Sequence, residues 1–286
     1  MHWQTSRFRL DLVARPLVMG IVNTTPDSFS DGGRYISTGA ALAQCEKLLA
    51  EGADILDIGG ESSRPGTPPV SLEQERARVQ PVLREALRMG VPISLDTYKP
   101  ALMREALDLG VDIINDIWGL RQPGAVEAVA AHPACGVCLM HMHGEPETMQ
   151  HQPMDGDAVH AVREFLRSTS QALEAHGVAR DRICWDPGVG FGKTVAQNFD
   201  LLARQDELLA PGYPLLVGWS RKSSLGSVTG LPVGERLAPS VAAALLAAEH
   251  GAQVLRVHDV KETVAALKVL AAVRAQRPAG KEREKT

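Results

Sequence analysis

The chain has 286 residues, 44% of them hydrophobic, and a formal charge of −4. That length suits one α/β barrel domain, and the charge balance excludes the basic excess of a nucleic-acid-binding surface. No apolar stretch is long enough to span a membrane, and the segment MHWQTSRFRLDL lacks the apolar core of a signal peptide.

In chain order, the first apolar run, LVMGIVN, ends at Asn23, and a long loop from Thr24 to Gly39 follows. Thr38 is placed to cap a helix, TGAALAQCEKLLAEG, that closes at Gly52. The second run, ADILDIGG, stops before Glu61 and a loop that reaches Val70. Ser71 and Gln74 make a capping box for SLEQERARVQPVLREALRMG, in which Pro81 predicts a kink. VPISLD ends at Asp96, and Lys99-Pro100 opens the next helix. VDIIND surrounds Asn115, Gly124 opens a short helix, and GVCLMHM runs to Met142. The amphipathic stretch from Asp157 to His176 leads to RICWD, which ends at Asp186, and Asn198 is placed to cap FDLLARQDELLA. PLLVGWS stops before Arg221 and Lys222, and Gly234 precedes ERLAPSVAAALLAAEH. QVLRVHD carries Arg256 and His258, and Asp259 is placed to cap the last helix.

Near-continuous apolar runs separated by helix-length stretches predict a parallel sheet covered on both faces. Eight of them in one chain predict a single (β/α)8 TIM barrel over residues 1–277, followed by a polar tail, 278–286. The two long loops after the first and second strands are expected to be mobile lids.

The four cysteines are too few for a disulfide framework and point to reduced thiols in the cytoplasm. Cys135 and Cys138, with His141 and His143 beyond, superficially resemble a zinc site. A core strand alternates its side chains between faces, however, so these would not converge on a metal. DPGVGFGKT fails as a nucleotide-binding loop, because Pro187 and Lys193 occupy positions that need glycine. What remains is an acid at a strand end followed by a glycine turn.

The strand ends themselves bring Asp57, Asp96, Asn115 and Asp186 to the barrel mouth from four strands, and Lys222, Arg256 and His258 from the last two. Barrels commonly bind phosphate after strands seven and eight, and Asn23 offers a carbonyl to a hard cation such as Mg²⁺. The pattern predicts a site with an acidic, hydrogen-bonding half and a phosphate-binding half; Asp57 is open to a structural role.

The segments MGIVNTTPDSFSDGG, DIGGESSRPG, ISLDTYKP, INDI, CLMHM, DPGVGFGK, GWSRKS and RVHDVKE resemble the dihydropteroate synthase family in order and spacing, from about Leu17 to Leu270. The resemblance implies a (β/α)8 barrel that uses Mg²⁺, is usually a homodimer, and is the sulfonamide target. It implies condensation of 6-hydroxymethyl-7,8-dihydropterin diphosphate with p-aminobenzoate, giving 7,8-dihydropteroate and diphosphate. By the same resemblance Asp96, Asn115, Asp186 and Lys222 would hold the pterin. Arg256 would stack on it and, with His258, Asn23 and Ser63, hold the diphosphate, Asn23 through Mg²⁺. Phe29, Arg64, Pro65, Phe191 and Ser223 would frame p-aminobenzoate, and Asp27 would stabilise charge developing on the pterin methylene. Thr24, Ser63 and Trp219 depart from the family pattern. A methyltetrahydrofolate:corrinoid methyltransferase is a rival, but it needs no diphosphate clamp. A non-catalytic pterin-binding paralogue is another, disfavoured by the complete loop motifs.

Overall fold

The computed structural model describes residues 1–25, 38–62, 67–145, 148–149 and 151–276. The loop tips that carry Asp27, Phe29, Ser63, Arg64 and Pro65 lie outside these, so the expected lids are not described either.

Each of the eight apolar runs contains a strand: β3 (Leu17–Asn23), β4 (Ile55–Gly59), β5 (Ile93–Asp96), β6 (Ile113–Asp116), β7 (Gly136–Met140), β8 (Ile183–Asp186), β9 (Leu216–Val217) and β10 (Val254–Val257). They pair in parallel in the order β8-β7-β6-β5-β4-β3-β10-β9. A further parallel bridge between Trp185 and Leu215 brings the two ends together and rounds the sheet into the predicted barrel. The helices α1 (Thr38–Ala50), α2 (Leu72–Ala86), α3 (Pro100–Leu109), α4 (Ala125–Ala130) and α5 (Ala158–Ala175) alternate with the first strands. Then follow α6 (Val195–Ala203), α7 (Gln205–Leu209), α8 (Ser223–Thr229), α9 (Leu237–Glu249) and α10 (Val260–Ala275).

Strand alternation sorts the side chains into two cores. Outward residues such as Leu56, Ile58, Leu95, Ile114, Leu139 and Leu255 pack with Leu48, Val79, Leu83, Leu102 and Leu166 of the helices. Inward residues Met19, Ile55, Ile113, Cys184, Leu216 and Val254 form a separate apolar cluster toward the start of the strands. Each such buried aliphatic side chain contributes about 1.5–3 kcal/mol. Two residues further along the same strands the inward positions turn polar: Asp57, Asn115, Asp186 and Arg256. The barrel is thus dry at one end and functional at the other.

A hairpin with no counterpart in the predicted elements closes the dry end. Strands β1 (His2–Gln4) and β2 (Arg9–Asp11) pair antiparallel, with Trp3 opposite Leu10. Trp3 is fully buried in the inner cluster, and its indole Nε1 donates to the Arg182 carbonyl at 2.9 Å. Arg7 pairs with the buried Asp112 at 2.6 Å, and Asp112 also accepts from the Ile93 amide.

Most predicted helix signals operate as expected. Ser71 and Gln74 form both halves of the capping box of α2, Pro100 opens α3, and Asp157 caps α5 through the amides of Val159 and His160. α2 runs unbroken through Pro81. Three signals need correction. Thr38 lies inside α1 as its first residue. Thr194 rather than Asn198 caps α6, in a capping box with Gln197, and Asn198 is internal to that helix. Asp259 makes no side-chain cap to α10, because its carboxylate binds Arg221 at 2.6 Å. Cys135 and Cys138 do point apart: Cys135 meets the Arg182 guanidinium at 3.1 Å, whereas Cys138 belongs to the inner barrel cluster.

Candidate active site

At the C-terminal ends of the strands lies a cavity of about 480 Å³, the location a barrel dictates. Asn23, Asp96, Asn115, Asp186, Phe191, Lys222, Ser223, Arg256 and His258 all line it, so every predicted site residue within the described segments meets at one place.

The acidic half is built on a guanidinium. Arg256 on β10 donates Nε to Asp57 and Nη2 to Asp96, each at 2.6 Å. Asn115 Nδ2 donates to the same Asp57 oxygen at 3.2 Å. Asp57 therefore orients two site residues from below while being fully buried itself. Burial pushes the Asp96 carboxyl up to about 7, against the downward pull of Arg256. Burial lowers the Arg256 pKa, but Asp57 and Asp96 more than offset it, so its net shift is upward.

Asp186 ends β8 and accepts the Gly188 amide at 2.8 Å. Burial raises its pKa, opposed by Gly188 and by the charges of Lys222, Arg256 and Lys193. Lys222, at the entry of α8, has its ammonium 4.2 Å from the centre of the Phe191 ring. Burial lowers its pKa to about 8, with Asp186 pulling the other way. Ile117, Met140, Met149 and Phe191 supply an apolar wall. Carboxylates, an amide and an ammonium around such a wall can hold a flat heterocycle by its edge donors and acceptors.

The opposite side is suited to anions. His258 lies 3.0 Å from Ser220 Oγ through its Nδ1, and that hydroxyl also accepts the His258 amide at 3.2 Å, which fixes the ring. Arg221, just after the seventh apolar run, directs its guanidinium to Asp259. Arg236, which the motifs did not flag, also lines the cavity and donates to the carbonyls of Arg221 and Lys222. Asn23 ends β3 exposed in the same cavity as Arg256 and His258. Among the described residues no group of three His, Cys, Asp or Glu side chains could hold a metal ion. A single amide oxygen suits Mg²⁺, which takes its remaining oxygens from phosphate and water.

Two departures from the family pattern are structural. Thr24 donates its hydroxyl to the Gly59 carbonyl at 3.1 Å, and Trp219 is buried against Phe199. Sequence reasoning also missed two lysines, the half-buried Lys99 and the buried Lys193. Lys99 bridges Glu61 and Glu75, the latter at 2.5 Å, beside the base of the second loop. Lys193 sits beneath the glycine turn; a lysine among glycines was its only signal.

Residues 19–258 match the family model described as pterin binding enzyme. The dihydropteroate synthase of Neisseria meningitidis serogroup B is 53% identical over 273 residues, covering 93% of this chain and 95% of that protein. The crystal structure of Burkholderia cenocepacia dihydropteroate synthase with 7,8-dihydropteroate superposes with a TM-score of 0.88 at 53% identity, covering 96% of each chain. The Xanthomonas albilineans enzyme with 4-aminobenzoic acid gives 0.89 at 47% identity, covering 97% of this chain and 100% of that one.

Proposed function

This chain belongs to the dihydropteroate synthase family of pterin-binding enzymes, and from that premise we propose how its own residues perform the condensation. The substrates are 6-hydroxymethyl-7,8-dihydropterin diphosphate and p-aminobenzoate, and the products are 7,8-dihydropteroate and diphosphate. The observation that carries this reading is the meeting of Asp96, Asn115, Asp186 and Lys222 with Arg256 and His258 in one cavity.

Asp186 and Asn115 take the amino and ring N–H donors of the pterin, Asp96 takes a further donor, and Lys222 donates to a pterin acceptor. The ring lies against Met140, Ile117 and Phe191, with the Arg256 guanidinium stacked on its face. Arg256 and His258 receive the diphosphate, and Asn23 would hold Mg²⁺ against it. When bound, that ion neutralises the leaving group's charge. The methylene C–O bond breaks with its electron pair leaving on diphosphate. The p-aminobenzoate nitrogen then supplies the pair for the new C–N bond and releases a proton. Phe191 and Ser223 border p-aminobenzoate. The roles of Ser63, Arg64, Pro65 and Phe29 toward the substrates, and of Asp27 toward the developing cation, rest on the family resemblance alone.

A cytoplasmic homodimer completes the reading. All four cysteines are free thiols, and among the described residues no helix is long and apolar enough to cross a membrane. Sedimentation of the purified protein tests the dimer. Purified protein with Mg²⁺ and both substrates should yield dihydropteroate, and absence of that product overturns the assignment.

A further inference from the structure

Lys193 is a buried lysine that the chemistry above does not use; burial lowers its pKa to about 7, with Asp186 pulling the other way, so it is a cation on the acid side of that value. Only 3% of the residue is exposed. Its ammonium donates to the main-chain carbonyls of Gly188 at 2.9 Å, Phe191 at 3.1 Å and His141 at 3.2 Å. An ammonium has three protons and accepts nothing, so these carbonyls satisfy it completely. Two of them belong to the glycine turn after Asp186, and the third lies just beyond β7.

The turn lies directly on the neighbouring main chain. Gly188 and Gly192 both have φ of +66°. A Cβ on Gly188 would fall 1.9 Å from the His141 carbonyl oxygen, and one on Gly192 would fall 2.2 Å from that of His143. No side chain fits between the two segments; beyond the His141 amide, which donates to the Asp186 carbonyl at 3.0 Å, the Lys193 ammonium ties the turn itself to residue 141. One end of this turn carries the amide that binds Asp186, and the other carries the Phe191 ring.

We propose that Lys193 is a positioning residue for the condensation: it locks residues 188–191 to residue 141, holding the Asp186 carboxylate and the Phe191 ring as one unit. This rests on the assignment of Asp186 to the pterin and Phe191 to p-aminobenzoate. Removing its charge takes the ammonium from three carbonyls, of which only Gly188 keeps another donor, the Phe191 amide at 3.1 Å, and loosens both walls together. The charge also acts on Asp186 directly. Lys193, Lys222, Arg256 and the Gly188 amide all favour the ionised carboxylate against burial, so losing one of them moves its protonation to higher pH.

The test compares wild type, Lys193→Met and Lys193→Arg by calorimetry with a pterin ligand and by steady-state kinetics. Lys193→Met should raise KM for both substrates, each by roughly tenfold, and move the acid limb of pterin binding to higher pH. Lys193→Arg keeps the charge and should keep the acid limb where it is. A Met variant with a lowered unfolding midpoint but unchanged KM values and acid limb would overturn the positioning role. Absence of pterin binding by wild type would overturn the assigned function, and the positioning role with it. Should the Met variant not fold, ¹⁵N spectroscopy of the Lys193 ammonium in the wild type decides. Its signal should shift when pterin is added and again with p-aminobenzoate, and insensitivity to both ligands overturns the proposal.

Discussion

Arg256 faces a choice between partners. Asp57 and Asp96 each hold it at 2.6 Å, while the proposed chemistry needs it over the pterin and near the diphosphate. Asp57 is fully buried and bonds Asn115 as well, so it is the anchor that sets how far Arg256 can move. Asp57→Asn should cost about 3 kcal/mol in denaturant unfolding, because it breaks a buried ion pair from one side. It should also weaken pterin binding in calorimetry; unchanged stability and affinity would remove Asp57 from the site. The titrating pair predicts a bell-shaped kcat/KM profile. Below about pH 7 Asp96 is protonated and loses the charge that makes it a strong acceptor for the pterin, so activity falls toward acid. Above about pH 8 Lys222 is neutral, and activity falls toward alkali. Asp96→Asn should remove the part of the acid limb near pH 7 and leave only the contribution of Asp186, and an unchanged limb near pH 7 would assign it elsewhere. At Asn23, substitution by alanine should raise the Mg²⁺ concentration needed for half-maximal turnover. Full activity in excess chelator would refute the metal assignment.

At the scale of the elements, the strand ends are legible because most apolar runs stop at a polar inward residue, the one ending in Met140 and Met142 excepted, and period-two alternation then fixes which side chains face the cavity. Asp96, Asn115, Asp186 and Arg256 were found this way. The contribution of Asp57 could be placed in the sequence but not assigned, since its partner, Arg256, is 199 residues away. The α6 cap was mistaken although Thr194 and Gln197 stand at capping-box spacing, because Asn198 also precedes an apolar stretch. Asn198 instead accepts the Gly190 amide at 2.7 Å and donates to Ser224 at 2.9 Å, joining the glycine turn to α8. Thr194→Ala should therefore cost about 1 kcal/mol of stability, with little change in KM. A cost near zero in denaturant unfolding would make the cap unimportant. Gly188→Ala should be far more damaging, since both its backbone angle and its approach to His141 forbid a Cβ. A variant with wild-type pterin affinity would show that the turn adapts.

At the scale of the molecule, the eight-strand pattern announced the barrel, whereas the hairpin that seals it was invisible. HWQ and RLD are three-residue strands with little apolar periodicity, and only partners far along the chain, such as Arg182 just before β8, give them a place. Trp3→Ala should cost about 3–5 kcal/mol in unfolding, as expected for emptying a filled core position. Because Trp3 sits at the end opposite the ligand, pterin affinity in the variant that remains folded should be nearly unchanged. A large loss of affinity at intact stability would mean that the two ends communicate.

The same tryptophan also bears on the order in which the molecule is made. Its hydrogen-bond acceptor, Arg182, is synthesised 179 residues after it, and His2 waits equally long for Asp181. Until β8 exists, the indole has nowhere to be buried, and the hairpin travels with an unfinished chain as exposed apolar surface. Sealing of the barrel base therefore follows the sealing residue by most of the barrel's length in synthesis.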